Sequence, residues 1–561
     1  MPSHQPSGIK MLKKIIAIST VAAASSFAGL LTNGDCSYGD GGWYIWNNPD
    51  GPAKYTSKLC EAGFGTDAGD GVASEGVRLE VTDLPNPSWG LQLQPPKWLA
   101  DSAYYTLTFK AKGNMPINAI VQGGAPDWRQ KESASFMLTN EWKEYSMTFL
   151  ADQKGYGVNN ITFHVGLAKG WLQMDDVEIT KAEGMNDTTW YANNAARIDS
   201  LRKKDFTLAL PDSMKGASDV KVELIRHAFP FGTALALYPS KDSIETWYRK
   251  TANKYFWYGV PENQFKWPEY EPKKGKIRRD EFKQYLDYVD AYKWGFRAHT
   301  LMWGIQGYGY DKHFSMKGSC KEIGQKLKAR IDRDLKEYKG RIKEYDVWNE
   351  AFHEPFLFNK CGWDLLDSAH VWAHRADPDA RLFVNEYQVV SAGETERLYD
   401  LVKGMLDRKI PVHGIGVQCH FGDRAINPAF IRARLDRLAE LGLPIKVTEL
   451  DFGDWQKGLY FGEDEQARRY EIVLRSFFSH PAIEGILLWG FWDNRHWVQN
   501  GGIIASDGRE KPAAKLIYDL WHKVWTTNGT FKAEGDVVKF RGYPGKYKVT
   551  ANGKSAVVEL K

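Results

Sequence analysis

The sequence predicts an α/β protein of several domains: a (β/α)8 barrel, preceded by an all-β sandwich of jelly-roll type and followed by a small β appendage. Three observations predict it. At 561 residues the chain exceeds one ordinary core, since domains run to about 100–200 residues. Short alternating runs bounded by Gly, Asn, Asp and Pro fill the first third, as the strands of a sandwich do. Beyond residue 230 apolar strands alternate with helical stretches, and eight such strands can be placed, the number that closes a parallel barrel.

From the N-terminus, Lys13 and Lys14 precede an apolar run over 15–24 and the small-residue site Ser26-Phe27-Ala28. That is the three-part pattern of a secretory signal over 1–28, with Met11 as an alternative start, and it implies a secreted, periplasmic or surface-associated protein. The run is too short to span a bilayer, and no later stretch reaches the roughly 20 apolar residues that spanning needs. In an exported chain five Cys allow two disulfides, expected as Cys36–Cys60 and Cys320–Cys361; Cys419, inside the apolar run GIGVQCH, is expected as a buried thiol. No C-x-x-C pair occurs, and no metal site is expected. A formal charge of +4 carries no nucleic-acid footprint, so a monomer without nucleic-acid or membrane partners is expected. The 22 Trp exceed what core packing asks, and flat rings at a surface suit sugars.

Residues 29–181 hold the runs YYTLTFKAK (104–112), EYSMTF (144–149), NITFHVGL (160–167) and LQMDDVEIT (172–180), which alternate as sandwich strands. A polar stretch, 182–205, is expected to be a linker. The runs FTLAL and VKVEL open the third unit, 206–526, as a β extension of the barrel. Within it, Ile323, Leu327, Ile331 and Leu335 recur every four residues on a helix that stops near Gly340, and EYDVW follows as a strand. Repeating this reading places barrel strands near 231–236, 255–262, 297–303, 344–349, 381–386, 413–420, 444–450 and 485–491. Residues 527–561 return to β patterning and are expected to form a small sheet with the 206–230 strands.

Barrel enzymes carry their chemistry at the C-terminal ends of strands. Here the ends read PENQFKW (261–267), HTLMWGIQ (299–306), WNE (348–350), NEY (385–387), QCH (418–420), TELD (448–451) and WGFWDNRHW (489–497). Neither a Ser/His/Asp order nor a phosphate-binding Gly loop accompanies them. Carboxylates, amides and aromatics do, and these are the groups glycoside hydrolysis uses: one protonated carboxyl for the leaving oxygen and one ionised carboxyl for the anomeric carbon. Glu350 and Glu449 are the best pair.

From about 229 to 525 the chain resembles glycoside hydrolase family 10, mainly endo-β-1,4-xylanases, through VPENQFKWPEYEP, RAHTLMWGIQ, DVWNEAF, LFVNEY, GIGVQCHF, VTELDF and LLWGFWD in that order. The resemblance implies retaining hydrolysis of xylan without a catalytic cofactor, with Glu350 as acid/base and Glu449 as nucleophile. It also implies that Asn349 binds the sugar 2-hydroxyl and that His420 bonds the nucleophile while Asp451 fixes its tautomer. Glu262, Asn263, Lys266, His299, Trp303, Gln306, Tyr387 and Gln418 would line the subsites, with Trp489 and Trp497 closing over the sugar. Gln306 and Trp497 would crowd the edge where a hexose carries its CH₂OH. A β-1,4-glucanase or aryl-glycosidase on the same barrel, and a polysaccharide-binding protein without activity, are the rival readings. Three positions depart from the family: Gly304 in place of His, expected to widen the cleft; NEY in place of N-D-Y; and Trp348 in place of Val, the last two read as conservative. Residues 29–181 resemble carbohydrate-binding modules of families 4 and 9 through TNGDCSYGDGGW (32–43), WGLQLQ (89–94) and MDDVEI (174–179). That resemblance implies a structural calcium and candidate sugar-stacking rings at Trp89, Trp128 and Trp171.

Overall fold

The computed structural model describes residues 31–561 apart from 32, 37–40, 61–75, 97, 99–102, 124–127, 129, 152–159, 182–187, 423–425, 427 and 455–461. The expected signal segment, 1–28, lies outside the described residues, as does the first part of the expected linker.

The N-terminal third forms two five-stranded antiparallel sheets. One runs in the order Tyr44–Asn47, Leu91–Gln94, Asn160–His164, Pro116–Gln122, Gln130–Met137; the other runs Lys54–Leu59, Val77–Asp83, Gly170–Lys181, Ala103–Gly113, Lys143–Ala151. Period-two patterning produces this arrangement. In Val77–Asp83 the side chains of Val77, Leu79 and Val81 are buried while Arg78 and Glu80 are exposed, and the inward rows of both sheets share one core that includes Leu93, Phe109, Phe163 and Ile179. Cys36–Cys60 ties this unit and Cys320–Cys361 the barrel, leaving Cys419 a buried thiol.

The expected linker is corrected in part: Thr188–Arg202 is a helix. It docks on the barrel through polar groups. Arg202 donates to the carbonyls of Phe478 (2.8 Å), His480 (2.7 Å) and Ile483 (2.9 Å), and Asn194 donates to Ser479 Oγ (2.9 Å). Because hydrogen bonds rather than an apolar stripe hold it, hydrophobic periodicity does not reveal it.

The β extension and the C-terminal appendage form one antiparallel six-stranded sheet in the order Lys204–Ala209, Val537–Gly542, Asn528–Glu534, Asp219–His227, Gly545–Ala551, Lys554–Leu560. Phe206, Val222, Val538 and Tyr547 fill its own small core.

Between them lies the parallel barrel. Its strands are Phe231–Leu235, Tyr258–Pro261, a third strand in two pieces (Gly295–Phe296 and Met302–Trp303), Glu344–Asn349, Arg381–Glu386, Gly414–Val417, Ile445–Leu450 and Ile483–Leu488. The split third strand closes the ring: its first piece pairs with the second strand and its second piece with the fourth. The helix Cys320–Glu337 buries Ile323, Leu327, Ile331 and Leu335 and starts at a Ser319/Glu322 capping box. At the N-terminal ends of the strands, buried Lys446 and half-buried Arg381 both pair with Glu344 and Glu484, leaving the opposite ends free for chemistry. The sandwich abuts the barrel at the loop after the fifth strand. Buried Arg434 donates to the carbonyls of Val390 (2.6 Å) and Ser133 (2.7 Å), and a Cβ at Gly393 would come within 2.9 Å of the Ser135 amide nitrogen.

Candidate active site

A cavity of about 650 Å³ opens where the strand ends converge. Glu262, Asn263, Lys266, His299, Trp303, Asn349, Glu350, Tyr387, Gln418, His420, Glu449, Trp489 and Trp497 all line it, so residues spread over 236 positions of sequence meet in one place. Asp451 stands behind His420, fully buried. Gln306 is not brought in: it is exposed and outside the lining, and Ile305, Tyr308 and Tyr310 of the same loop line the wall.

Each carboxylate is delivered by its strand. Glu350 follows the fully buried strand Glu344–Asn349 in the left-handed conformation (φ 56°), and its amide donates to the Asn385 carbonyl at 2.9 Å. Its Oε1 accepts from Gln418 Nε2 (2.9 Å) and Asn349 Nδ2 (3.1 Å), and its Oε2 accepts from Trp303 Nε1 (2.8 Å). Glu449 lies within the seventh strand. Its Oε1 accepts from Asn385 Nδ2 (2.7 Å) and its Oε2 from His420 Nε2 (3.3 Å). Asn385 Nδ2 also donates to Asn349 Oδ1 at 2.8 Å, so an amide chain links the two carboxyls. Asn385 stands in the NEY motif but was not singled out from sequence; its place between two motif residues on neighbouring strands was the available signal.

The two environments differ in sign. Burial pushes the Glu350 carboxyl up to about 7, with the charge of Glu449 adding to the effect and the Gln418 and Trp303 bonds opposing it. Burial acts on Glu449 as well, but the His420 bond, the charges of His299 and His420 and the Asn385 bond outweigh it and hold Glu449 below the ordinary carboxylate range. His420 itself resists burial: Asp451 and Glu449 raise it to about 10. Its Nδ1 donates to Asp451 Oδ2 (2.9 Å), which also accepts from Trp497 Nε1 (2.7 Å), so both ring nitrogens point at carboxylates, as an imidazolium requires. His299 Nδ1 bonds Asp346 Oδ2 at 2.9 Å and packs edge-on to Trp489. The Lys266 ammonium lies 5.0 Å from the Trp303 ring centroid and bonds Asn263 Oδ1 at 3.0 Å.

All three departures read from sequence change meaning here. Gly304 does not widen the cleft. A Cβ there would meet the Glu354 carbonyl at 3.0 Å and the Trp348 ring at 3.8 Å, so the Trp348 indole occupies the space beside the missing side chain. Trp348 is fully buried and begins a ring ladder through Phe358 (4.5 Å) to Trp363 (4.4 Å). The two substitutions are thus one packing exchange. Nor is Glu386 a passive replacement: fully buried, it accepts from the Phe352 amide (2.8 Å) and bonds His353 Nδ1 (2.8 Å).

In the sandwich, Trp89 is 48% exposed and lies parallel to Trp46, 6.0 Å away with a 7° interplanar angle; sequence reasoning missed Trp46. Trp128 is exposed, and Trp171 is half-buried beneath Arg78 at 5.8 Å. His370 and His374 stand one helical turn apart, a metal-ligand spacing the sequence reading overlooked, but His370 is buried and bonded to the Pro411 carbonyl. Among the described residues no group of three His, Cys, Asp or Glu side chains could hold a metal ion, so the calcium expected in the sandwich gains no such ligand set.

Comparison with known proteins agrees with this geometry. The sequence profile of glycosyl hydrolase family 10 matches residues 221–520, just over half of the chain. Endo-1,4-beta-xylanase 1 of Arabidopsis thaliana is 32% identical over 371 residues, covering 63% of this chain and 37% of its own length. Beta-1,4-xylanase of Dictyoglomus thermophilum is 30% identical over 52% of this chain and 84% of its own length. Among solved structures, xylanase 10B from Thermotoga petrophila in complex with xylobiose is 26% identical, with a TM-score of 0.49, over 53% of this chain and 95% of its own. The chain spans between a third and a half of the length of the first curated relatives it matches. With its profile match and its two-glutamate cavity at the strand ends of a parallel barrel, the chain belongs to glycosyl hydrolase family 10.

Proposed function

We propose that this protein hydrolyses internal β-1,4-xylosidic bonds of xylan with net retention of anomeric configuration. The observation that carries the reading is the opposed tuning of two carboxyls in one cavity, Glu350 pushed up to about 7 and Glu449 held low. In the first step a Glu449 oxygen attacks the anomeric carbon while Glu350 gives its proton to the departing glycosidic oxygen. In the second, Glu350 takes a proton from water, whose oxygen displaces Glu449 and restores both groups. His420, charged by Asp451, keeps Glu449 ionised. Asn349, fixed by Asn385, is placed to bond the sugar 2-hydroxyl, a contact that strengthens as charge develops. Trp489 and Trp497 close over the ring. No cofactor takes part.

The substrate assignment draws on the relatives named xylanases and on the indole of Trp497 at the rim. The parallel pair of half-buried Trp46 and exposed Trp89 supports a polysaccharide-binding role for the sandwich, read as a jelly-roll module over 29–181, in a protein exported by its signal segment; flat indoles at a surface suit pyranose faces. The test is reducing-sugar release from xylan and from carboxymethylcellulose by the full chain and by Glu350→Ala. Release from xylan that depends on Glu350 is expected. Preference for carboxymethylcellulose would assign a glucanase, and binding without release a lectin.

A further inference from the structure

The fifth strand does more than supply Asn385. Its backbone and its last residue together grip the segment that carries Glu350. The Asn385 carbonyl takes the Glu350 amide at 2.9 Å, and Glu386 Oε1 takes the Phe352 amide at 2.8 Å. Arg397 completes the grip, donating to the Phe352 carbonyl at 3.0 Å with its guanidinium 4.5 Å from the Phe352 ring centroid. Glu386 Oε2 reaches His353 Nδ1 at 2.8 Å, and the His353 ring stacks on cavity-lining Tyr387 at 3.7 Å. Glu350 needs such support because it sits in the left-handed region, which a non-glycine residue holds only when its surroundings over-determine it.

We propose that Glu386, through Phe352 and His353, is the positioning residue of Glu350, and that it acts as an uncharged carboxylic acid hydrogen-bonded to His353. This rests on the reading of Glu350 as acid/base. The groups facing the pair are Glu350 and Glu354 from the fourth-strand loop, and Glu394 and Arg397 from the segment after the fifth strand. Burial dominates both partners, lifting Glu386 well above the carboxylate range and lowering His353 to about 4. Both are therefore neutral: the Glu386 hydroxyl donates to Nδ1 while Oε1 accepts the Phe352 amide. An ionised Glu386 would be one of the negative neighbours that raise Glu350, beside Glu449; with Glu386 uncharged that contribution is absent, and burial and Glu449 raise Glu350 without it.

Leaving-group dependence separates positioning of an acid from general loosening, because a good leaving group departs without protonation. Glu386→Ala is expected to lower kcat/KM on xylan at least tenfold while leaving kcat/KM on a dinitrophenyl β-xylobioside within about twofold of wild type. Glu386→Gln, neutral and equally long, should restore most of the xylan activity and leave the basic limb of the pH profile in place. Equal losses on both substrates, or an unaltered xylan rate in Glu386→Ala, would overturn the positioning role. A basic limb moved to lower pH in Glu386→Gln would overturn the uncharged state, since it would mean a negative neighbour had been removed. Glu350→Ala run in parallel checks the underlying reading: if it shows no leaving-group split, the acid/base assignment fails, whereas a split there and none in Glu386→Ala rejects the positioning role alone.

Discussion

Glu350→Gln should make the protein less stable in acid and more stable in mild base. The Glu350 carboxyl, 9% exposed, ordinarily would lose its proton near 4.5 and here keeps it to about 7. At 1.36 kcal/mol per tenfold change, that difference is worth about 3 kcal/mol. For a carboxyl raised in the folded state, the native protein binds the proton more tightly than the unfolded chain. Its stabilising contribution is complete below about 4.5 and lost as pH rises through 7. Glutamine escapes that loss. It has a cost of its own: Gln418 and Asn349 donate to one oxygen and Trp303 to the other, so an amide NH₂ facing Trp303 forfeits one hydrogen bond, about 1 kcal/mol at every pH. The net expectation is about 1 kcal/mol of destabilisation at pH 4 and about 2 kcal/mol of stabilisation at pH 8.5. With roughly 2 °C per kcal/mol for a domain of this size, Tm by calorimetry should lie about 2 °C below wild type in acid and about 4 °C above it in base. A Tm difference that is the same at both pH values would refute the reasoning, because it would mean that Glu350 carries no raised pKa.

Other consequences can be measured alongside. The kcat/KM profile on xylan should be bell-shaped, with a basic limb near pH 7 from deprotonation of Glu350 and an acid limb below 4.5 from protonation of Glu449; in Glu350→Ala on a dinitrophenyl glycoside the basic limb should vanish. Trp348→Val empties a fully buried site and should cost about 3 kcal/mol, and Gly304→His should press on the Glu354 carbonyl and the Trp348 ring. Combined, the two should cost at least 1 kcal/mol less than their sum in denaturant titration, and simple additivity would contradict the packing exchange. Arg434→Ala removes the cation near buried Glu132 and the donor to the Ser133 carbonyl across the sandwich–barrel contact, together with the donor to Val390 inside the barrel. It should weaken that contact by about 3 kcal/mol, read as separation of the calorimetric transitions of the two units; transitions that stay coincident would contradict it.

Much of the barrel and its site can be read from sequence because both depend on local patterns. Apolar runs mark strands, and the polar residues directly after them mark the catalytic face; the resemblance to family 10 is what picked residues as far apart as Glu262 and Trp497 from those strand ends before any geometry. What escaped depends on reach across the fold. Glu386 looks interchangeable with Asp until its extra methylene is seen to carry the carboxyl to the Phe352 amide. Gly304 looks like an opened cleft until Trp348, 44 positions away, is found beside it. Gln306 is implied by the family resemblance, but it stands at the start of a loop where Gly307 and Gly309 flank Tyr308 in the left-handed region, and there strand alternation no longer says which side chain faces the cavity. The helix Thr188–Arg202 was hidden because Arg202 and Asn194, rather than an apolar stripe, dock it.

The central claim is a covalent glycosyl intermediate on Glu449, and peptide mass spectrometry tests it directly. After incubation with a 2-deoxy-2-fluoro-xylobioside carrying an activated leaving group, which slows the second step more than the first, the peptide spanning 447–452 should gain the mass of one fluoroxylobiosyl group on Glu449. An inactivated protein labelled instead at Glu350, or full turnover with no adduct at any time, would contradict the account.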